Sequence, residues 1–287
     1  MPPILGLLRP HQWIKNAFVV APLFFTPADV SWSNVINVVL GLGCFSTMAS
    51  AIYILNDWRD RDSDRKHPQK KLRPLAAGTV SGTSAAALAL GLAVGSAAVA
   101  LIWLPRGFVI VLALYVVQNL AYNLWLKQIA ILDVLCIAIG FVLRIYAGGE
   151  LIGVTLTVWI VACTLLLALF LAFAKRRDDL VLGVDDEHRL SLSGYNLPFI
   201  DASLAIILAA LVVSYLLYTT QPENMARLHS DKLFLTAPFV IAGVLRYLQV
   251  TLVEHRSGSP TRLALSDPFL MLTILGWVAT FAYLIYG

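Results

Sequence analysis

The chain has 287 residues, 59% of them hydrophobic and only 13% charged, with a mean hydropathy of +0.78. A soluble domain would carry about twice that charge fraction, so a water-soluble globular fold is excluded and a bilayer solvent is implied. The formal charge of +4 acquires meaning only when it is assigned to loops.

A helix needs roughly 20 apolar residues to span a bilayer. Segments of that kind run over 14–30, 34–55, 83–104, 107–125, 129–149, 154–174, 198–219, 232–250 and 268–286. Pro22 and Pro27 interrupt the first of them. Pro2, Pro3, Arg9 and Pro10 break the opening stretch, which does not read as a cleaved signal peptide. Cys44, Cys136 and Cys163 all lie in apolar stretches, as reduced packing residues would, rather than in a disulfide framework or metal site. Backbone polar groups in lipid must be satisfied within the segment, so the expected fold is an all-α integral membrane bundle of nine transmembrane helices.

Basic residues orient the bundle. The ends and connections on one side carry seventeen of the 21 Lys and Arg, against Arg106, Lys232 and Arg227 on the other, with Arg144 inside a span. The positive-inside rule then predicts a cytoplasmic N-terminus, cytoplasmic connections at 57–82 and 175–197, and a C-terminus outside. Charge concentrated against one end of an apolar bundle marks the working face, so we expect an active site facing the cytoplasm in a multi-pass inner-membrane protein. No internal repeat or separate soluble domain is visible, and the whole of 1–287 reads as one polytopic domain.

The most informative stretch is Asn56-Asp57-Trp58-Arg59-Asp60-Arg61-Asp62-Ser63-Asp64-Arg65-Lys66-His67-Pro68. On a continuing helix Asp57, Asp60 and Asp64 fall within an arc of about 60°, whereas Asp62 points elsewhere. Three stacked carboxylates repel one another unless a cation joins them, and an oxygen-only set suits Mg²⁺, which takes one or two carboxylates and completes its shell with phosphate oxygens. Arg65, Lys70, Lys71 and Arg73 follow at once and suit the phosphate. The bland alternative is a solvated helix end that only obeys the positive-inside rule, but such an end need not stack its acids on one face.

The pattern Asn56-Asp57-x-x-Asp60-x-x-x-Asp64, followed by Arg73-Pro74-Leu75-Ala76-Ala77-Gly78, resembles the first Asp-rich motif of the UbiA superfamily of intramembrane prenyltransferases. That resemblance implies a nine-helix bundle whose central cavity opens to the cytoplasm and holds a magnesium-bound diphosphate. It implies Asp57, Asp60 and Asp64 as metal ligands, with Asn56 assisting. Most members carry a second acidic motif after the sixth helix. Here that position reads Ala174-Lys175-Arg176-Arg177-Asp178-Asp179-Leu180, and cations fixed there can bind a phosphate without a metal.

Arg9-Pro10-His11-Gln12-Trp13-Ile14-Lys15-Asn16, Leu143-Arg144-Ile145-Tyr146-Ala147-Gly148-Gly149 and Lys175-Arg176 with Asp179 are similar to one branch of the superfamily. Its members are phosphoribosyltransferases of cell-wall arabinose synthesis, which move 5-phosphoribose from phosphoribosyl diphosphate to a polyprenyl phosphate. The alternative is a relative that joins a prenyl diphosphate to an aromatic acid. A solute transporter would bind near the midplane of paired repeats, and neither feature is visible.

Other positions keep two readings at this stage. Lys15 and Asn16 either bind phosphate or sit at the interface. Arg144 either lines the cavity or holds its helix in place. Tyr122 and Lys127, and separately Tyr195, either contact phosphate or belong to the aromatic and basic belt, while Arg246 and Tyr247 suit the interface. His67 reads as structural, and Asp185, Asp186 and Glu187 as solvated loop. Nothing suggests zinc or a nucleic-acid partner, and a homo-oligomer is compatible with the sequence.

Overall fold

The computed structural model describes residues 3–66, 70–183, 190–255 and 260–287, and every regular element among them is helical. His67 and residues 185–187 lie outside the described residues. The helices, in chain order, are α1 (Pro3–Leu8), α2 (Ala17–Phe24), α3 (Trp32–Arg59), α4 (Arg61–Lys66), α5 (Gly82–Trp103), α6 (Arg106–Leu124) and α7 (Leu132–Ile152). They continue with α8 (Val158–Val181), α9 (Leu197–Thr220), α10 (Pro222–Arg227), α11 (Ala237–Leu252), α12 (Pro260–Ser266) and α13 (Pro268–Tyr286).

Eight segments among the described residues are long and apolar enough to cross a membrane: α3, α5 to α9, the stretch Leu233–Leu252 that includes α11, and α13. These are eight of the nine expected spans. The segment expected over 14–30 is instead broken into a 3-10 helix at Pro10–Asn16, the eight-residue α2 with Pro22 inside it, and a 3-10 turn at Pro27–Asp29. Proline lacks the N–H that an α-helix needs, so Pro22 leaves α2 one bond short without ending it, and Pro27 stands where α2 has stopped and a separate 3-10 turn begins.

Helix starts follow from local chemistry. Ser31, Ser81, Thr157, Asn196 and Asp267 each accept a hydrogen bond from the backbone N–H three residues on, satisfying a donor the helix leaves orphaned. Large apolar side chains stand exposed along the spans, among them Leu90, Leu101, Val117, Ile206 and Leu272. Such a surface is stable against hydrocarbon rather than water.

Two compact units emerge. The first comprises Met1–Phe24, Asp29–Leu126 and Leu143–Thr155. Its core gathers Phe45, Phe108, Tyr115 and Leu151. A smaller cluster of Leu7, Ile54, Leu75 and Ala85 lies in the same unit. The second comprises Phe25–Ala28, Lys127–Val142 and Leu156–Gly287, with Phe170, Leu192, Leu204 and Val250 at its core.

Helix α3 positions the acidic stretch. Its 28 residues make a rod of about 42 Å, longer than the roughly 30 Å hydrocarbon layer, so one end must leave the apolar zone. The apolar stretch expected over 34–55 continues as helix to Arg59, as the phase argument for the acidic residues required, and carries Asn56 and Asp57 with it.

Candidate active site

In the first unit, α3 ends at Arg59, Asp60 caps it, and α4 restarts at once. Asp60 N–H still donates to Asn56 O at 2.9 Å, and Asp64 N–H to Asp60 O at 2.8 Å. The helical repeat therefore survives the break. Asp57 and Asp64 turn inward and are buried, Asp60 is half-buried, and Asp62 points out with 74% of its side chain exposed. Exposure of Asp62 was expected from its position on the wheel. Its carboxyl stays below the usual range because Arg61 donates to it and Arg65 lies near.

What joins the two buried carboxylates is a guanidinium. Arg73 Nη1 donates to Asp57 Oδ1 at 3.1 Å and to Asp64 Oδ2 at 2.7 Å. Arg9 Nη2 donates to the same Oδ1 of Asp57 at 2.5 Å. Local structure aims Arg73: the turn after it closes through Ala77 N–H to Arg73 O at 2.8 Å, Gly78 takes φ 73°, and Leu75 is anchored in the small apolar cluster. Gly78 suits that left-handed conformation because it has no Cβ.

The donor set fits a hard cation. It offers buried carboxylate oxygens, and a protein cation already bridges them. Among the described residues no three His, Cys, Asp or Glu side chains converge on one point. The structure thus brings Asp57 and Asp64 together and not Asp60. Two carboxylates agree with Mg²⁺, which completes its shell with phosphate oxygens and water.

The other candidates in this unit divide. Arg65 donates from Nε to Ala76 O at 3.2 Å and from Nη1 to Asp62 Oδ1 at 3.2 Å, at the exposed rim. Lys15, Asn56, Lys70 and Tyr122 are half-buried. Asn16 is buried, donating to Ser46 Oγ at 3.0 Å and accepting from Arg144 Nε at 2.8 Å. Arg144 also donates to the Tyr115 hydroxyl at 3.0 Å and lies over the rings of Phe45 and Tyr115, 5.3 and 4.8 Å from their centroids. Between the two readings of Arg144, these contacts favour holding helices together.

In the second unit Lys127 is half-buried and Lys175 is exposed. Arg176, expected to meet a phosphate, is fully buried. Its Nε donates to Asp133 Oδ2 at 2.7 Å and its Nη1 to Asp179 Oδ2 at 3.0 Å. Asp133 also accepts from Ser191 Oγ at 3.1 Å and from the Tyr195 hydroxyl at 2.6 Å. Tyr195 in turn accepts from Ile131 N–H at 2.6 Å, at a residue held at φ 70°. Burial, followed by the bond to Asp133, pushes the Tyr195 phenol above its ordinary value. A β-branched residue at that φ is strained and persists only where surroundings hold it. Arg176 Nε and Nη1 and the Tyr195 hydroxyl are thus engaged within this unit, and these contacts hold the end of α8 in place. Arg177 is also committed, donating to Asp201 Oδ1 at 2.7 Å and to Thr251 O at 2.8 Å.

Two participants were missed. Asp133 is a fully buried acid in the first turn of an apolar helix, a placement that marks a partner or a site. Arg9 was counted as cytoplasmic charge and quoted at the head of the Arg-Pro-His-Gln-Trp run, but was given no role at the site.

A multi-pass helical chain with buried carboxylates bridged by arginine at one helix end is suited to handling diphosphates. Residues 17–185 match the UbiA prenyltransferase family, and the chain belongs to it. Over 99% of its length it is 33% identical to the decaprenyl-phosphate phosphoribosyltransferase of Mycolicibacterium smegmatis, covering 92% of that protein. It is 32% identical to the protein of the same name from Mycobacterium tuberculosis, over 96% of this chain and 92% of that one. A solved UbiA homologue from Archaeoglobus fulgidus bound to DMAPP and Mg²⁺ shares the fold, with a TM-score of 0.75 over 98% of both chains and 22% identity.

Proposed function

We propose that the chain transfers 5-phosphoribose from phosphoribosyl diphosphate to a polyprenyl phosphate, with decaprenyl phosphate as the acceptor. The observation that carries this reading is identity of 33% and 32% sustained over nearly the whole chain with two phosphoribosyltransferases of that acceptor. An oxygen of the lipid phosphate forms a bond to the anomeric carbon. The bond from that carbon to the diphosphate breaks, and diphosphate leaves with the electron pair. The acceptor is already an anion, so no side chain need act as a strong base.

Asp57 and Asp64 would hold Mg²⁺, with Asp60 and Asn56 completing its surroundings through water. When bound, the ion supplies positive charge against the diphosphate as negative charge grows on it. Arg73 lies on both carboxylates and can turn its remaining donors to the same diphosphate. Arg65 and Lys70 stand at the rim of this cluster. Lys175 meets the 5-phosphate, and Arg176, held by Asp133 and Asp179, keeps that helix end in place with Tyr195. Lys15, Tyr122 and Lys127 contribute further contacts for anionic groups. Catalysis of this kind comes from positioning and from preorganised charge rather than proton transfer. Lys and Arg asymmetry supports these residues facing the cytoplasm, the bacterial relatives support an inner-membrane location, and the lipid tail remains in the bilayer.

The test is direct. Purified protein incubated with phosphoribosyl diphosphate, decaprenyl phosphate and Mg²⁺ should yield a phosphoribosyl lipid and diphosphate. No such product, together with consumption of a prenyl diphosphate and an aromatic acid, would move the chain to ordinary prenyl transfer.

A further inference from the structure

We propose that Arg9 is a diphosphate-binding residue: it competes with the metal for Oδ1 of Asp57, and its guanidinium passes to the diphosphate when the metal takes that oxygen. The inference rests on the reading above for the presence of a magnesium-bound diphosphate.

Three observations carry it. The first is that Arg9 and Arg73 converge on one oxygen, Asp57 Oδ1, at 2.5 and 3.1 Å. A carboxylate oxygen that ligates a metal cannot keep both guanidiniums at these distances. Arg73 retains Asp64 as a second partner at 2.7 Å, so Arg9 is the cation to be displaced.

The second is backbone strain. Arg9 sits at φ 50° and ψ 57°, a left-handed conformation that a side-chain-bearing residue rarely adopts, and it is followed by Pro10, which further disfavours helical values for the residue before it. Strain of this kind persists where surrounding contacts impose it, and it concentrates at ligand clamps.

The third is how the segment is mounted. Ser46, Ser50, Tyr53 and Asp57 are spaced four, three and four apart on α3 and so share one face. Asn16 and Trp13 dock on that face through Ser46 and Ser50, each at 3.0 Å, and Ser50 Oγ donates to Leu8 O at 2.8 Å. These bonds fix the segment on both sides of Arg9 without using its side chain. That side chain, 18% exposed, reaches over the Tyr53 ring at 5.5 Å to Asp57. The mount stays while the guanidinium can change partner. A planar fork of donors matches phosphate oxygens as well as it matches carboxylate.

The competition predicts effects of opposite sign. In detergent-solubilised protein without substrate, Mn²⁺ binding followed by electron paramagnetic resonance should tighten about tenfold in Arg9→Gln, because a competitor for Asp57 is gone. Binding of inorganic diphosphate at saturating Mg²⁺, followed by calorimetry, should weaken about tenfold in the same variant. Arg9→Lys keeps the charge but not the fork, so it should bind Mn²⁺ like the wild type and still lose diphosphate affinity. This variant carries the test if Arg9→Gln fails to fold. Weakening of both ligands together would show a merely structural Arg9 and overturn the proposal, as would unchanged values for both. A wild type that binds Mn²⁺ and diphosphate but does not turn over phosphoribosyl diphosphate would refute the transferase reading alone and leave Arg9 in place.

Discussion

Both units build a cluster of arginine and aspartate at the end of a long apolar helix, and the two clusters are opposites. In the first, the acids are buried and the cations reach them from flanking segments: Arg9 and Arg73 keep 18% and 27% of their side chains exposed over carboxylates exposed by 2% and 4%. In the second, Arg176 and Asp133 are both fully enclosed. A cation delivered from an outlying segment can be exchanged for another cation or for a metal. A guanidinium shut between two carboxylates cannot, because separating a buried pair strands a charge in a low-dielectric interior. One cluster is arranged for ligand exchange and the other for rigidity, although both would look alike in a count of ion pairs.

Substitutions should separate the two kinds of cluster. Asp57→Asn removes charge at constant shape, and turnover should fall about a hundredfold or more while thermal unfolding in detergent hardly changes. EDTA should reproduce that loss in the wild type, reversibly with Mg²⁺. Full activity in EDTA would undo the contrast. Arg176→Ala should behave in the opposite way, costing about 3–5 kcal/mol of stability by stranding Asp133. A variant that unfolds like the wild type but no longer binds phosphoribosyl diphosphate would return Arg176 to the substrate site.

Smaller effects sharpen the same line. Lys175→Ala should raise KM for phosphoribosyl diphosphate about tenfold and leave that for the lipid nearly unchanged, as steady-state kinetics with each substrate varied will show. Tyr195→Phe should cost about 1 kcal/mol, because Ile131 N–H and Asp133 each lose a partner. The raised phenol value in the fold means that this contribution is present below the ordinary tyrosine value, near pH 10, and is lost as pH rises through the folded one. Alkaline thermal unfolding should therefore show a decline in the wild type that is shallower in Tyr195→Phe. Asp62→Asn, at the exposed rim, should change stability and turnover least, by under about 0.5 kcal/mol.

Much of this was legible in the amino-acid sequence, for physical reasons. Apolar length marks spans because the bilayer requires it, and eight of the expected nine appear as continuous helices long and apolar enough to cross. The first segment differed because α2 stops before Pro27, short of spanning length, despite its apolar composition. Helical phase separated the inward Asp57 and Asp64 from the exposed Asp62, but it also put Asp60 on their stripe, where the structure leaves it half-buried beside the helix break. Phase could not show that Arg73 bridges those two acids, since a loop residue's direction depends on the turn and on where Leu75 anchors. The same limit hid the burial of Arg176. A Lys-Arg-Arg run reads as uniformly available charge, and only Asp133, more than forty residues earlier, reveals that Arg176 is committed.

The Arg144 network has a consequence for how the chain is made. An arginine at the middle of a span is costly in lipid, by about 2.5–3.5 kcal/mol on insertion scales. Asn16, Phe45 and Tyr115, which receive it, all precede it in the chain. When α7 leaves the ribosome its polar harbour has already been synthesised, and the helix can enter the bilayer with its charge accommodated. Asp133, on the same helix, faces the reverse order, since Arg176, Ser191 and Tyr195 have yet to be translated. It lies in the first turn, where headgroups and water can serve until they arrive. Vectorial synthesis thus suits the depth at which each charge is buried.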